Sequence, residues 1–309
     1  MNDKKSQNHL PRIMSNFSRR KAIALGAVGA AGIAATVAQK NQVHAQTEPL
    51  SQPEVNPNGR FVDKVVLITG ATSGIGEATA RAFAAEGATV HFCGRREQLG
   101  QQVTRSIVDA GGKASYQKAD VRNEAEIKAF VDGCVQRYGQ IDVAFNNAGI
   151  ESAPKTIAEQ TFNDWENVMN TNARGVFLSM KYELPVMLDS GGGAIINNAS
   201  VSGHVGFATI SPYSASKHAI LSLTKVAALE YADKNIRVNS ISPGAVDTPM
   251  LRRALAAWNT DLETVALDYP IKRSIAPEEI ARSVMWLATA EPIAVVGTDI
   301  DATGGYLTK

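Results

Sequence analysis

The segment VVLITGATSGIGEATARAFAAEG, residues 65–87, decides how this chain folds. Its first five residues are apolar or β-branched and predict a strand that is buried on both faces. A glycine-rich turn from Gly70 to Gly76 follows, and the stretch 76–87 predicts a helix that ends at Gly87. Such a turn lets the backbone approach a pyrophosphate, to which the helix N-terminus offers N–H groups. The segment therefore predicts a nucleotide-binding βαβ unit, with an ordinary tight turn as the alternative.

The same alternation continues along the rest of the chain. Further strands are predicted for ATVHFCG (88–94), KASYQKAD (113–120), IDVAFNNAG (141–149), GAIINNAS (193–200), IRVNSIS (236–242) and VVGTDIDA (295–302). Helices are predicted for 96–112, 124–139 and 214–232. Strands that alternate with helices imply a parallel sheet with right-handed crossovers. We expect an α/β fold of the Rossmann type, a doubly wound, mostly parallel sheet with helices on both faces, in a single domain.

Composition excludes several classes of protein. A chain of 309 residues with 44% hydrophobic and 20% charged residues is typical of a globular protein, not of a disordered or multi-span membrane protein. Residues 1–45 carry seven Lys or Arg and one Asp, which leaves the remainder mildly acidic although the net charge is +1. An acidic body argues against a nucleic-acid partner. Cys93 and Cys134 form neither a disulfide framework nor a zinc site, and we expect both to be buried.

The N-terminal residues 1–45 have the parts of an export signal. Ser18-Arg19-Arg20 precedes a charge-free run from Ala22 to Ala38, and Val43-His44-Ala45 resembles a cleavage site. Paired arginines indicate the twin-arginine route to the periplasm. An uncleaved anchor and an accidental apolar helix are the alternatives. Since alanine and glycine contribute little transfer energy, we expect no stable membrane anchor.

Residues 46–60 (QTEPLSQPEVNPNGR) follow the predicted signal. Three prolines and few apolar side chains predict a flexible linker. The catalytic domain is therefore expected to span residues 61–309.

The end of the second predicted strand indicates which dinucleotide is bound. A carboxylate there would bind the ribose 2′-hydroxyl of NAD and repel a 2′-phosphate. The sequence has Gly94 at this position, followed by Arg95 and Arg96. Two guanidinium groups can pair with a phosphate, so we predict NADP, with NAD also possible. The alternative is that both arginines are solvated residues at a helix start.

A second group of residues indicates catalysis. Tyr213 and Lys217 are four residues apart and share a helix face, so the ammonium can lie beside the phenol. Ser200 ends the strand 193–200, at the sheet edge where α/β proteins bind ligands. A Tyr–Lys pair alone is weak support, and its combination with Ser200 and the glycine-rich turn is what carries the interpretation.

With these motifs in place, residues from about Phe61 to Lys309 resemble the short-chain dehydrogenase/reductase family in its compact, single-domain branch. The matching motifs are TGATSGIG (69–76), Asp120-Val121, NNAG (146–149), Asn172, Ser200, YSASK (213–217), PGAVDT (243–248), PEEIA (277–281) and GGY (304–306). The sequence departs from the family pattern at Thr303, where an acid is common. That departure puts the local packing of the C-terminal segment in question.

The resemblance implies a role for each catalytic residue. Tyr213 would be the acid in reduction and the base in oxidation, and Lys217⁺ would lower the pKa of its phenol and hold the nicotinamide ribose. Ser200 would orient the substrate oxygen, and Asn172 would anchor a water that links Lys217 to solvent. The implied cofactor contacts are Gly70, Ser73, Gly74, Ile75, Gly76, Arg95, Arg96, Asp120, Val121, Asn147, Ala148, Gly149, Tyr213, Lys217, Pro243, Gly244, Val246 and Thr248.

The remaining expectations concern partners and neighbouring residues. The resemblance implies a small-molecule substrate and a homo-oligomer, either a tetramer or a dimer. The five histidines show no metal-ligand spacing, so we predict no metal. His204 is interpreted either as a solvated loop residue or as part of the substrate cleft. The segment 250–270 lies where the family has its substrate lid, and Trp258 is predicted either to close over the substrate or to pack a small helix.

Three functions compete. The leading one is an NADP-dependent carbonyl reductase or alcohol dehydrogenase that acts on a small or medium substrate. A non-catalytic nucleotide-binding sensor or scaffold is the alternative, although it would not need an acid–base pair. A sugar-nucleotide epimerase or dehydratase would need a longer C-terminal substrate domain and a GxxGxxG spacing, and the sequence has neither.

Overall fold

The computed structural model describes residues 50–308, and the predicted signal segment 1–45 lies outside them. The strands of the described residues are β1 Val65–Thr69, β2 Thr89–Gly94, β3 Lys113–Lys118, β4 Val143–Asn146, β5 Gly193–Asn198, β6 Ile236–Pro243 and β7 Asp299–Ala302. The α-helices are α1 Gly74–Ala85, α2 Glu97–Asp109, α3 Glu124–Tyr138, α4 Phe162–Met169, α5 Gly175–Asp189, α6 Ser211–Tyr231, α7 Pro249–Ala257, α8 Leu262–Ala266 and α9 Pro277–Ala288. A π turn, Asn170–Arg174, joins α4 to α5.

The strands form one sheet in the order β3-β2-β1-β4-β5-β6-β7, and all neighbours are parallel. The chain moves outward from β1 to β3, returns to the other side of β1 with β4, and then continues to β7. The connections that follow β1 and β4 lead to opposite sides of the sheet. The carboxyl ends of these two strands therefore leave a crevice between them, where α/β proteins bind ligands. The Rossmann-type fold expected from the sequence is confirmed.

Helices cover both faces of the sheet, which explains the continuous apolar strands. Phe83, Phe92 and Phe145 are fully buried on one face, in the cluster that includes residues of α1 and α9. Cys134 and Met187 lie on the other face with residues of α3, α5 and α6. All five residues of β1 are buried. The sheet is therefore a rigid floor for the crevice at its carboxyl edge.

Both cysteines lie in this core. Cys93 and Cys134 are free and buried, and desolvation raises the pKa of each thiol to about 12. Neither thiol is reactive at neutral pH. Thr303, the departure from the family pattern, is also fully buried, and its main-chain N–H donates to Asp301 Oδ1 at 2.8 Å. The C-terminal segment is therefore packed despite the missing acid.

Part of the predicted linker 46–60 contacts the domain. Gln52 Nε2 donates to Arg81 O at 3.4 Å, and the Asn56 main-chain N–H donates to Ala85 O at 2.7 Å. At Gly59 a Cβ would fall 2.3 Å from the carbonyl oxygen of Glu86. Residues 52–60 therefore lie along α1, because the polar main-chain groups at its C-terminal end need partners.

Helix boundaries also differ from the sequence predictions. The helix predicted for 76–87 begins at Gly74, and the one predicted for 214–232 begins at Ser211, so Tyr213 lies in its first turn. The segment 150–192, where the sequence analysis placed no element, contains α4 and α5. Among the described residues, no helix has the length and apolar character needed to cross a membrane.

Candidate active site

The conformation of the glycine-rich turn is fixed by the positive φ angles of its glycines and by Asn147, which follows β4. Gly70 and Gly74 have φ values of +72° and +59°, which a side chain would strain. Asn147 Nδ2 donates to the carbonyl oxygens of Thr69 and Gly70, each at 3.1 Å. A Cβ at Gly76 would fall 2.4 Å from that amide nitrogen. The turn is thereby fixed while α1 begins at the crevice with no side-chain cap, so its first N–H groups are available to a phosphate.

Arg95 and Arg96 line the cleft beyond this turn, but their environments differ. The Arg96 guanidinium donates to Thr72 Oγ1 at 2.7 Å and to Ser73 Oγ at 2.6 Å. Burial, followed by the charges of Arg253 and Arg95, lowers the pKa of Arg96. Arg95 is exposed, and within residues 50–308 it has neither a hydrogen bond nor an ion pair. The phosphate end of the cleft therefore carries two cationic side chains, and neither forms an ion pair with a carboxylate in the described part of the chain.

Asp120 and Val121 follow β3 and line the same end of the cleft. Arg122 donates to both oxygens of Asp120 at 3.0 Å, and these hydrogen bonds hold the pKa of the Asp120 carboxyl below its usual value. Val121 is buried, and its side chain lies 2.9 Å from where a Cβ at Gly175 would be. Asp120 is thus held by its neighbour, while Val121 forms an apolar wall.

The NNAG segment joins the two ends of the cleft. The Ala148 main-chain N–H donates to Thr69 Oγ1 at 3.1 Å, which fixes the segment against β1. A Cβ at Gly149 would lie 3.3 Å from Asn172 Oδ1, so this backbone passes close to the π turn. Asn146 points away from the cleft and donates to the buried carboxyl of Glu183 at 3.0 Å.

Asn172 is fully buried inside the π turn. Its Oδ1 accepts from the main-chain N–H of Ile150 at 2.8 Å, and its Nδ2 donates to Ile150 O and to Ser216 Oγ, each at 3.0 Å. Ser216 in turn donates to the main-chain oxygen of Tyr213 at 2.7 Å. The side chain therefore ties the loop after β4 to the first turn of α6.

Ser200, Tyr213 and Lys217 lie together at the other end of the cleft. Burial raises the pKa of Tyr213, and a hydrogen bond with the Ser200 side chain opposes that change. Lys217 Nζ lies 5.6 Å from the centroid of the phenol ring and donates to Asn198 O at 2.7 Å. Desolvation lowers the pKa of Lys217 to about 7.

Burial is thus the largest influence on the pKa of Tyr213, and the neighbouring lysine is itself desolvated. The lowering of the phenol's pKa by Lys217⁺ together with an oxidised nicotinamide stays a prediction. The sequence brings Tyr213, Ser200 and Lys217 together as predicted, but it does not show how deeply they are buried. Tyr213 is a neutral phenol at neutral pH. It can donate a proton to an oxygen next to Ser200.

Residues 243–248 lead from β6 to the segment 249–269, which borders the cleft and is called its roof below. Pro243, Gly244, Val246 and Thr248 line it, as the motif predicts. A Cβ at Gly244 would fall 2.7 Å from Thr303 O and from the ring of Tyr269, so only glycine fits. Thr248 caps α7 by accepting from the Leu251 main-chain N–H at 3.2 Å.

The roof over the cleft is apolar. Its lining side chains, together with those of the facing loops, are Ile150, Val201, Phe207, Ile210, Met250, Leu251, Leu255, Trp258, Val265 and Tyr269. Trp258, at the C-terminal end of α7, is 37% exposed and belongs to this lining. The cleft has a volume of about 440 Å³ and runs from the glycine turn to Tyr213.

His204 is an exposed residue of the loop after β5, in agreement with the first of its two interpretations, and it is not among the residues that line the cleft. Its Nε2 lies 2.8 Å from Asp299 Oδ2 and 3.2 Å from Ser242 Oγ. The side chain therefore connects this loop to β7 near the edge of the sheet. Within residues 50–308, no cluster of three His, Cys, Asp or Glu side chains could hold a metal ion.

The sequence analysis missed two further groups. Arg253 on α7 pairs with Glu151 in the loop after β4, at 3.0 Å between Nε and Oε1, and both line the cleft. Glu183 on α5 is 1% exposed, and burial raises the pKa of its carboxyl to about 7 despite the hydrogen bond from Asn146. No local signal marks the first pair, since 102 residues separate its members. Glu183 was recognisable only as a charge within the apolar stretch 176–188.

The residues of the cleft fit a dinucleotide. A fixed glycine turn, an uncapped helix start and two arginines lie at one end, and the phenol, hydroxyl and ammonium of Tyr213, Ser200 and Lys217 lie at the other. Phosphates suit the first end, and a carbonyl or hydroxyl group suits the second.

Comparisons with known proteins agree with this reading of the cleft. The sequence profile of the short chain dehydrogenase family matches residues 64–258. The chain is 41% identical over 252 residues to the cyclohexanol dehydrogenase of Acinetobacter sp. (strain SE19), covering 82% of this chain and 98% of that protein. It is 39% identical over 268 residues to the 3beta-hydroxysteroid dehydrogenase of Mediterraneibacter gnavus, covering 81% and 97%.

Solved structures are similar to the same extent. The crystal structure of levodione reductase has a TM-score of 0.78 and 35% identity, and the match covers 80% of this chain and 98% of that one. A variant actinorhodin polyketide ketoreductase with NADPH has a TM-score of 0.76 and 36% identity, with 80% and 98% covered. The matches span nearly the full length of each relative.

Proposed function

Because the chain belongs to the short chain dehydrogenase family and is an NAD(P)-dependent oxidoreductase, we propose that it interconverts a cyclic secondary alcohol and its ketone with NADP(H). The observation that carries the proposal is the meeting of Ser200, Tyr213 and Lys217 at the closed end of a cleft whose other end is cationic. A sensor that only binds the dinucleotide has no use for a phenol that is hydrogen-bonded to a serine hydroxyl beside a lysine.

Tyr213 holds the proton that the reaction transfers. Because burial raises the pKa of its phenol, the group is neutral at working pH and donates to the carbonyl oxygen in reduction. Ser200 donates a hydrogen bond to the same oxygen and fixes its position. The bound nicotinamide supplies or accepts the hydride.

Lys217 and Asn172 supply the route by which Tyr213 regains its proton. Lys217 titrates near neutral pH and lies beside the phenol ring, so it can take up and release protons at working pH. Asn172 holds the loop after β4 and, through Ser216, the first turn of α6. It acts here by positioning these elements around the lysine.

The preference for NADP(H) rests on charge at the phosphate end. Gly94 places no carboxylate where one would reject a 2′-phosphate, and Arg95 follows it with no hydrogen bond or ion pair in the described part of the chain. Arg96 rests on Thr72 and Ser73 and is available to the same phosphate. The ketoreductase with NADPH, at 36% identity, supports this preference.

The proposed substrate class rests on the apolar roof and on the relatives. Trp258, Phe207 and Tyr269 line the same cleft as Ser200, and such aromatic side chains suit a ring better than a flexible chain. The cyclohexanol and hydroxysteroid dehydrogenases are both named for alcohols on rings.

The test is an assay of the purified protein with NADPH or NADP⁺ and matched pairs of substrates. Cyclohexanone and cyclohexanol are compared with 2-hexanone and 2-hexanol, which have the same number of carbon atoms. Faster turnover of the cyclic pair supports the proposed class. Tight nucleotide binding without turnover of any carbonyl or alcohol would instead support the sensor function.

Export of the protein is a further part of the proposal. The twin-arginine pattern at Ser18-Arg19-Arg20 lies outside the described residues, and it predicts transport of a folded protein to the periplasm. Since no free dinucleotide pool is expected there, we propose that the protein leaves the cytoplasm loaded, with a dissociation constant near nanomolar, about −12 kcal/mol. Such binding favours substrates that return the hydride without cofactor exchange.

Mass spectrometry of protein from the exported fraction tests the loading. Protein that is processed near Ala45 and carries stoichiometric dinucleotide after denaturation supports the proposal. Empty protein with micromolar affinity contradicts it, and so does full-length chain confined to the cytosol.

Assembly is also proposed from the family. The exposed side chains of Trp165 on α4, Phe177 on α5 and Leu229 on α6 provide apolar surface for a homodimer or homotetramer. Light scattering coupled to size-exclusion chromatography measures the mass directly. A monomer at micromolar concentration would contradict the proposed assembly.

A further inference from the structure

An ion pair crosses the cleft between two segments that are distant in sequence. Arg253 Nε lies 3.0 Å from Glu151 Oε1, and its Nη2 lies 3.3 Å from Glu151 Oε2. Glu151 follows the NNAG segment at the floor of the cleft, and Arg253 belongs to α7 in the roof. Both side chains line the cleft. A two-point contact of this kind fixes the orientation of both groups.

The electrostatic effects of the two residues place the pair along the cleft. After burial and the opposing hydrogen bond of Ser200, the charge of Glu151 raises the pKa of Tyr213, so Glu151 lies near the catalytic end. After burial, the charge of Arg253 is the next largest cause of the lowered pKa of Arg96, so Arg253 lies near the phosphate end. Since both residues line the cleft, the pair joins the loop after β4 to α7 within it.

The other end of α7 is already fixed to the glycine turn. A Cβ at Gly74 would lie 3.1 Å from Thr248 Cγ2 and 3.9 Å from Pro249 Cδ, so the start of α7 rests on this turn. The Glu151–Arg253 pair fixes the same helix about one turn further on. The first half of α7 is thus held at two points, by the glycine turn and by Glu151.

We propose that Glu151 and Arg253 form a strap across the cleft that retains the bound dinucleotide, so that release requires this pair to break. The identity of the dinucleotide rests on the proposed function. Both side chains are partly exposed, and an ion pair of this kind contributes modestly to free energy. Loss of the strap is therefore expected to speed release about two- to five-fold, and not to abolish binding.

A second consequence follows at Tyr213. Arg253 neutralises a carboxylate that disfavours phenolate, so its removal leaves Glu151 unpaired near the phenol. The ascending limb of the pH profile for alcohol oxidation, which follows deprotonation of this phenol, should then shift to higher pH. The titratable groups that surround this phenol are Lys217 on α6, Glu151 across the cleft and Tyr269 beneath the roof.

Stopped-flow fluorescence tests the strap. The protein loaded with NADPH is mixed with excess NADP⁺, and the loss of bound-NADPH fluorescence gives the release rate. Arg253→Ala and Glu151→Gln should each release NADPH about two- to five-fold faster than the original protein. Added salt should accelerate release from the original protein more than from either variant. Arg252→Ala is the matched control, because Arg252 is the adjacent arginine and pairs with Asp247 outside the cleft.

The pH profile separates a strap from a general effect on folding. Arg253→Ala should shift the ascending limb of the oxidation profile to higher pH. The double variant Glu151→Gln, Arg253→Ala should return this limb to its original position while NADPH release stays fast. If Arg253→Ala binds NADPH, turns over substrate and releases NADPH at the same rate as Arg252→Ala, the strap alone is overturned. A protein that binds no dinucleotide overturns the proposed function as well.

Discussion

The two ends of the cleft are built in different ways. At the catalytic end, Lys217 and Asn172 are buried and their nitrogen atoms donate to main-chain oxygens of Asn198 and Ile150. At the phosphate end, Arg95 is exposed and Arg96 rests on two hydroxyl groups of the glycine turn. The reaction step requires reacting atoms held at fixed distances. Recognition of a phosphate requires a charged side chain that is long enough to contact it. Substitutions at the first end should therefore affect rate, and those at the second should affect affinity.

The largest effect is expected from Tyr213→Phe. This change removes the proton that the catalytic end transfers and leaves the ring in place, so kcat should fall by about 10²- to 10⁴-fold while NADPH affinity stays nearly the same. Steady-state kinetics and a fluorescence titration measure the two quantities. Tyr231→Phe, at the other end of α6, serves as the control. A Tyr213→Phe variant that keeps more than a few per cent of kcat would contradict the assigned acid.

A smaller effect, on stability, is expected from Glu183→Gln beneath the catalytic end. Burial raises the pKa of this carboxyl from 4.5 to about 7, so the folded protein keeps a proton that the unfolded chain releases. Stability is therefore lost as the pH rises from 4.5 to 7, and the glutamine variant should lack this loss. The variant should be more stable by roughly 3 kcal/mol at pH 8 and nearly equal at pH 4.5.

Urea unfolding at the two pH values measures this difference. Glu230→Gln, at an exposed position of α6, is the control and should change stability little at either pH. An equal effect of Glu183→Gln at both pH values would show that the carboxyl does not titrate as inferred.

The smallest effect is expected at the phosphate end. Arg95→Ala removes a charge-assisted contact worth about 1.5–3 kcal/mol, so NADP affinity should fall roughly ten- to a hundred-fold while NAD affinity changes little. Titrations with both dinucleotides test this selectivity. Arg105→Ala, an exposed arginine of α2 outside the cleft, should leave both affinities unchanged. Equal losses for NADP and NAD would show that Arg95 does not contact the 2′-phosphate.

The sequence predicts most of the fold, because strand and helix periodicity is local. The run VVLIT and the glycine turn predict β1 and the start of α1, and YSASK predicts the helix face that carries Tyr213 and Lys217. The π turn at Asn172 has no such local signal. Its extra residue follows from contacts with Ile150 and Ser216, which are 22 and 44 positions away.

Burial and long-range pairing could not be predicted. The degree of desolvation of Lys217 depends on how β5, α6 and the roof close around it, and this governs its pKa more than the spacing of the Tyr–Lys motif does. In the same way, Arg253 is one of two adjacent arginines at the surface of a predicted lid. Only the folded chain distinguishes the one that faces Glu151 from Arg252, which faces Asp247.

The π turn between α4 and α5 has a consequence for how this chain tolerates changes in length. A helix advances by about 100° per residue, so the extra residue in Asn170–Arg174 sets the rotation of α4 relative to α5. Removing one residue here would allow a continuous α-helix, and local hydrogen bonding would improve. The buried face of α4 at Val168 would then turn away from its contacts, and Asn172 would lose Ile150. A deletion that makes the helix more regular would thus make the enzyme worse, and for that reason this turn should resist shortening more than the surface loops do.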